Sequence, residues 1–196
     1  MQYHEVRFTG SAVNQNQWPE TNYPEIVFAG RSNAGKSSLI NALVNRNNIA
    51  YSGKTPGKTR MLNFFEVDEK YSFADAPGYG YAAGNKDTAD TFSRLMDPYF
   101  ARREALKLVV LVLDIRRIPN ADDLLMLDYA RQAGIPLLAV CTKSDKLSNN
   151  QIFNQKQKIL KTLDLQADHL AVCSPLKKEN LEQVWEKIEQ FINGQS

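Results

Sequence analysis

The chain has 196 residues, 43% hydrophobic and 23% charged, enough to bury one sizeable core and to suggest a single domain. Lys and Arg number 24 against 22 Asp and Glu, and neither half of the chain is a basic or acidic arm, so any binding to nucleic acid must come from local patches. The longest apolar run, Leu108 to Leu113, is too short for a bilayer, Met1 to Gly10 lacks the apolar stretch of a secretory signal, and Cys141 and Cys173 give neither a disulfide framework nor a zinc pattern. A membrane protein, a secreted miniprotein and a disordered chain are thereby excluded, and a soluble cytoplasmic domain is expected.

Residues 1–24 precede the first core strand and read as an extension packed on the domain formed by 25–196. Glu25 to Gly30 is a short apolar run ending in glycine, which predicts a buried strand. Leu39, Ile40, Leu43 and Val44 lie at helical spacing within Ser37 to Val44. The polar stretch Asn45 to Arg60 reads as a loop. Leu62 to Val67 and Tyr71 to Ala74 predict two strands joined by a tight turn at Asp68 to Lys70, so one strand of the sheet should be antiparallel.

From there strands and helices alternate. Phe92, Leu95, Met96, Tyr99 and Phe100 make a helix stripe, and Leu106 to Leu113 a buried strand. Ala121 to Ala133 is helical up to Gly134, and Ile135 to Cys141 is the next strand. Ile152, Ile159, Leu160 and Leu163 mark another helix, and His169 to Cys173 a short last strand. Leu181, Val184, Trp185, Ile188 and Ile192 share one face of the final helix, with Asn180 as its expected N-cap. The pattern is that of an α/β, doubly wound and mainly parallel sheet of six strands, one of them antiparallel, with helices on both faces.

Gly30-Arg31-Ser32-Asn33-Ala34-Gly35-Lys36-Ser37 fits G-x-x-x-x-G-K-S between a predicted strand and a predicted helix. Glycines let backbone N–H groups curl round a phosphate, and the helix N-terminus adds the positive end of its dipole. Lys36 would reach the β- and γ-phosphates, and the Ser37 hydroxyl is a hard ligand for Mg²⁺. Three more motifs follow predicted strands: Asp75-Ala76-Pro77-Gly78, Thr142-Lys143-Ser144-Asp145, and Cys173-Ser174-Pro175. All fall at carboxyl ends of strands, where open α/β sheets bind ligands.

This order of motifs resembles that of the GTPases among phosphate-loop proteins. The resemblance implies that Asp145 accepts the guanine N1–H and N2–H₂ donors, which adenine cannot offer, with Lys143 flanking the base and the Cys173-Ser174-Pro175 loop on its other side. Tyr23 to Ile26, GRSNAGKSSLIN (Gly30 to Asn41), KTPGKT (Lys54 to Thr59), NFFEV (Asn63 to Val67) and DAPGYGYA (Asp75 to Ala82) narrow it further. Over about Val6 to Ile192 the chain is similar to the bacterial EngB (YihA/YsxC) GTPases, within the TrmE-Era-EngA-EngB-septin-like group. One departure is Ser174-Pro175, where many GTPases have Ser-Ala.

That resemblance implies a GTP- and GDP-binding domain whose first switch is residues 46–60. Ser38, Gly57, Lys58, Thr59, Arg60 and Met61 would then join the nucleotide contacts. Thr59 would be the second protein ligand to Mg²⁺, with Thr55 as the competing assignment, and Asp75 would hold the metal through water. Lys36, Thr59 and Gly78 would carry the chemistry at the γ-phosphate. Tyr79 stands where many GTPases place the water-orienting glutamine, and a tyrosine has no amide, so slow intrinsic hydrolysis is expected. Asn33 either lends its carbonyl oxygen to a K⁺ ion or simply caps the turn. Cys141 and Cys173 read as core packing, and His4 and His169 have no partner pattern.

Arg116-Arg117, Lys177-Lys178, Lys54, Lys58 and Arg60 gather basic charge on the nucleotide edge, which would suit RNA phosphates or remain a solvated surface. The resemblance implies a switch in assembly of the large ribosomal subunit, with rRNA or assembly intermediates as partners and a link to cell division and septation. Two other classes remain open on the residues: a P-loop small-molecule kinase, for which no lid insertion is evident, and a GTP-dependent scaffold for division proteins. No second domain argues for anything but a monomer, and no membrane contact is expected.

Overall fold

A computed structural model describes residues 4–47, 49, 61–80 and 86–194. In chain order the elements are β1 (Val6–Ala12), β2 (Glu25–Gly30), α1 (Lys36–Leu43), β3 (Leu62–Val67), β4 (Tyr71–Asp75), α2 (Lys86–Arg102), β5 (Leu106–Asp114), α3 (Ala121–Ala133), β6 (Leu137–Thr142), α4 (Asn149–Leu163), β7 (Leu170–Val172) and α5 (Leu181–Asn193). They build one seven-stranded sheet in the order β1-β3-β4-β2-β5-β6-β7. Strand β3 is antiparallel to both its neighbours, and every other pairing is parallel.

The sheet therefore has the one antiparallel strand expected, and one strand more than the six expected. The additional strand is β1, from the N-terminal extension, paired with β3 along the sheet edge from Val6↔Val67 to Ala12↔Leu62. Its sequence carries little apolar alternation because an edge strand buries few side chains, which is why hydrophobic periodicity does not reveal it. The β3–β4 turn needs positive φ at Asp68 and Glu69, which suits a two-stranded hairpin with a tight turn.

Alternation along the central strands splits the core in two. Val109, Leu111 and Leu113 of β5 face a cluster with Met96, Tyr99, Met126, Leu127, Ile159 and Leu163 from α2, α3 and α4. Leu108, Val110 and Val112 face the opposite cluster with Leu39, Ile40, Leu43, Leu181, Val184 and Ile188 from α1 and α5. Helices on both faces are what a nearly continuous apolar strand such as LKLVVLVLD requires. Cys141 and Cys173 lie in these cores as free thiols, one in each. Burial pushes Cys173 up to about 12 and Cys141 higher still, so both stay protonated.

Two details correct the sequence-based expectations. Asn180 precedes α5, but its backbone is left-handed and its side chain makes no capping bond; the amide donates instead to the Val172 carbonyl at 3.3 Å. His4, given no role, stacks on Trp185 with ring centroids 5.1 Å apart and bonds to Asp68, holding the N-terminal segment to α5 and the β3–β4 turn.

At the amino end of β2, far along the strand from Gly30, Glu25 is wholly buried. It accepts hydrogen bonds from Arg103 Nε (2.9 Å) and Nη2 (2.7 Å), Tyr99 Oη (2.8 Å) and Ser72 Oγ (2.9 Å). The Arg103 guanidinium also lies over the rings of Trp18 and Phe64. This cluster locks the C-terminal turn of α2 to the sheet while its other end leads from the segment after Gly80. Glu25→Gln should leave the Arg103 charge without a counter-ion and cost about 3 kcal/mol of stability in chemical denaturation. Nucleotide affinity should hardly change; a loss of stability below about 1 kcal/mol would show the ion pair to be unimportant.

Candidate functional site

The strand order reverses about β2, whose chain leaves toward β3 and β4 and returns through α2 to β5 on the other side. Such a switch point opens a crevice at the carboxyl ends of the strands. Gly30 to Gly35 crosses that crevice from β2 to α1. A Cβ on Gly30 would stand 2.6 Å from the Val112 carbonyl oxygen, and one on Gly35 would stand 3.1 Å from Thr142 Oγ1, where φ is already +94°. These two glycines are there because the loop lies directly on β5 and β6. Asn33 takes φ +65°, as a turn-capping asparagine does.

Two neighbouring carbonyls of the loop are held from the end of β6. Thr142 Oγ1 donates to the Ala34 carbonyl (2.5 Å), with the Leu113 carbonyl also in reach at 3.1 Å. Lys143 Nζ donates to the Asn33 carbonyl at 2.6 Å. With these carbonyls turned inward, the N–H groups at the start of α1 are left to face the crevice.

Lys36, the first residue of α1, forms an ion pair with Asp75 at the end of β4, and both side chains are nearly buried. Burial raises the Asp75 pKa, and Lys36 offsets part of the rise. Ser37 follows in the first helical turn, half-buried, and Ser38 is exposed. Among the described residues no group of three or more His, Cys, Asp or Glu side chains could hold a metal.

Ala76 to Gly80 runs alongside the loop. Ser32 N–H donates to the Tyr79 carbonyl (2.9 Å) and Tyr79 N–H to the Gly30 carbonyl (3.3 Å). Gly78 packs onto Ser32, where a Cβ would meet Ser32 Oγ at 3.1 Å. The Tyr79 side chain does not enter the crevice. It is buried edge-on to Phe92, and its hydroxyl donates to Asp123 Oδ1 at 2.8 Å. Asp123 in turn completes the capping box of α3 with Asn120. Burial, then the Asp123 charge, keep the Tyr79 phenol protonated far above its ordinary value.

The third motif turns away from the end of β6 beside the loop. Lys143 has φ +63° and opens a short turn, Ser144–Lys146, that carries Asp145. Ser174 Oγ donates to Asp145 Oδ1 at 2.7 Å, which, with Lys146, holds the carboxyl below its usual range and therefore charged. Ser174 and Glu179 exchange backbone hydrogen bonds (3.1 and 3.0 Å), closing the loop through Pro175. Thr142, Ala76 and Cys173 are buried and shape the site from beneath. Gly57, Lys58, Thr59 and Arg60, with Lys54 and Thr55, lie outside the described residues; Met61 is partly exposed just before β3.

Sequence patterns missed two carboxylates of this region. Asp114 ends β5 and accepts from Arg116 and Lys143, so Arg116 is not an unpaired surface charge. The signal was available, since Asp114 is an acidic residue closing the apolar run of β5, as Asp75 closes β4. Asp123 was likewise visible as the fourth residue of Asn120-x-x-Asp123.

Comparison with known proteins places this geometry. A family model described as 50S ribosome-binding GTPase matches residues 25–143. A probable GTP-binding protein EngB of Lactiplantibacillus plantarum is 44% identical over 195 residues, covering 99% of each chain. The chain belongs to the EngB family of GTP-binding proteins. An EngB relative from Desulfitobacterium hafniense is 46% identical over 167 residues, 85% of this chain and 83% of the other. The crystal structure of a probable GTP-binding protein engB superposes with a TM-score of 0.69 at 24% identity, over 87% of this chain and 99% of that one, and confirms the fold. As a member of the EngB family the chain is a phosphate-loop GTPase, and its ligand is a guanine nucleotide. No helix among the described residues is long and apolar enough to cross a membrane.

Because the Tyr79 hydroxyl is on α3 and not at the phosphate loop, Tyr79→Phe should leave GTP turnover within about twofold and lower stability by about 1 kcal/mol. A turnover lost by tenfold or more would instead place the hydroxyl in the reaction.

Proposed function

We propose that this GTPase is a nucleotide-dependent switch in assembly of the large ribosomal subunit, with slow Mg²⁺-dependent hydrolysis. Its influence on cell division and septation would follow from ribosome supply. The observation that carries the nucleotide half is the seating of the phosphate loop and the Asp145 slot on one seam, the ends of β5 and β6. The ribosomal half is supported by the family description and by the exposed bases Arg117, Lys177 and Lys178 on that edge.

In this account Asp145 accepts the N1–H and N2–H₂ edge of guanine. Adenine would leave that carboxylate unpaired, which is the basis of the discrimination. The Lys143 stem lies along one side of the base and Ser174-Pro175 along the other. Backbone N–H groups of Asn33 and of Gly35 to Ser38 surround the phosphates, the Ala34 N–H being spent on the Arg31 carbonyl at 3.0 Å, and Lys36 exchanges Asp75 for the β- and γ-phosphates. Ser37 and Thr59 would be the protein ligands to Mg²⁺, with Asp75 acting through water; when bound, the ion would neutralise charge on the phosphate oxygens. Gly78, with Ala76 and Pro77, reads the γ-phosphate through its N–H.

Hydrolysis adds water to the γ-phosphorus and breaks its bond to the β,γ-bridging oxygen, giving GDP and phosphate. The Tyr79 side chain is held on Asp123 and orients no water, so turnover stays well below ~1 s⁻¹ until a partner or an ion supplies the missing positioning. Turnover in KCl against NaCl reads the Asn33 alternative, with equal rates assigning that residue to the turn alone. The protein acts as a cytoplasmic monomer.

The test is cosedimentation of the purified protein with ribosomal subunits in a non-hydrolysable GTP analogue, in GDP and without nucleotide, at matched salt. Migration with the large subunit in the GTP-like state alone is expected. Equal association in all states would favour a scaffold, and no association in any state would remove the ribosomal role.

A further inference from the structure

We propose that Asp114 is a positioning residue of the guanine slot, holding the Lys143 ammonium against the Asn33 carbonyl and so locking the base-reading end of β6 to the phosphate loop. The proposal rests on the guanine-slot assignment above and goes beyond it in giving a role to a carboxylate that touches no nucleotide.

The geometry is closed on every side. Asp114 Oδ2 accepts from Lys143 Nζ at 3.0 Å and from Arg116 Nη2 at 2.6 Å. Its Oδ1 accepts from Arg116 Nε at 2.9 Å and from the Arg116 N–H at 3.1 Å. The carboxylate is almost wholly buried, and burial alone would drive it toward neutrality; the hydrogen bonds from Arg116 and Lys143 win, so it stays charged throughout the physiological range. Lys143 then spends one donor on Asp114 and another on the Asn33 carbonyl, 2.6 Å away.

The consequence is preorganisation. A lysine side chain ordinarily loses much rotamer freedom when a ligand packs on its stem. Here both contacts of the ammonium are made within the protein, so the stem is set before the base arrives. The same ammonium, beside the Thr142–Ala34 bond, fixes the left-handed turn at Asn33. Base slot and phosphate loop are thus one rigid unit, and Asp114 is the buried anion that keeps the cation at their junction.

A double-mutant cycle tests this by the dissociation constant of fluorescent GDP for the full chain, Asp114→Asn, Lys143→Met and the double variant, with thermal stability measured in parallel. Each single substitution should weaken GDP about tenfold. The double should be no weaker than Lys143→Met alone, because Asp114 acts only through the ammonium. A merely structural carboxylate would lower stability with additive losses of affinity, about a hundredfold in the double, and that result overturns the proposal. Undiminished affinity in Lys143→Met overturns it whether or not Asp114→Asn folds; Asp114→Ser replaces the asparagine variant where it does not. Failure of the unsubstituted protein to prefer GDP over ADP would instead sink the slot assignment itself.

Discussion

Everything at the nucleotide end depends on seating a side-chain-poor loop directly on the ends of two buried strands. Gly30 has no room for a Cβ against Val112, and Gly35 almost none against Thr142. Turned inward, the carbonyls of Asn33 and Ala34 find Lys143 and Thr142. Only then are the N–H groups at the start of α1 left to point outward as a phosphate cradle. The same β6 end continues into Asp145, so the feature that shapes the cradle also places the carboxylate proposed to read the base.

A second chain of contacts runs the other way. Backbone bonds join Ser32 to Tyr79 and Tyr79 to Gly30, and the Tyr79 hydroxyl reaches Asp123 at the N-terminus of α3. The segment proposed to sense the γ-phosphate is therefore joined to the phosphate loop on one side and anchored in the core on the other. At the far end of α2, Glu25, Tyr99 and Arg103 fix the helix to the sheet. Tyr79 and the C-terminal turn of α2 are thus each fixed to the core by a buried carboxylate, Asp123 and Glu25.

Most of this was legible in the sequence, for identifiable reasons. Buried parallel strands announce themselves as apolar runs, and β2, β5 and β6 stand within one or two residues of their expected bounds. The phosphate loop, Asp75 to Gly78 and Thr142 to Asp145 are local spacings, and the fold brings them to one crevice as their positions after strands require. What escaped was non-local or weakly patterned. Strand β1 buries little and so has no periodicity. Asn180 has the residue type of an N-cap but spends its amide on Val172. The partnership of Asp114 with Lys143 spans 29 residues, and no spacing rule connects them. The destination of the Tyr79 side chain could not be read from its place after Gly78, since burial against Phe92 decides it.

Asp145, set by Ser174 and joined through Lys143 to the phosphate loop, is the group proposed to make this site guanine-specific. The most direct measurement is competitive binding of GTP, ATP and XTP to the protein and to Asp145→Asn. Xanthine carries a carbonyl where guanine has its amino group, so an asparagine amide can donate where the carboxylate accepted. GTP should be preferred over ATP by about a thousandfold or more in the unsubstituted protein, and the preference should shift toward XTP in the variant. Similar affinities for GTP and ATP, or a variant that still prefers GTP, would contradict that assignment.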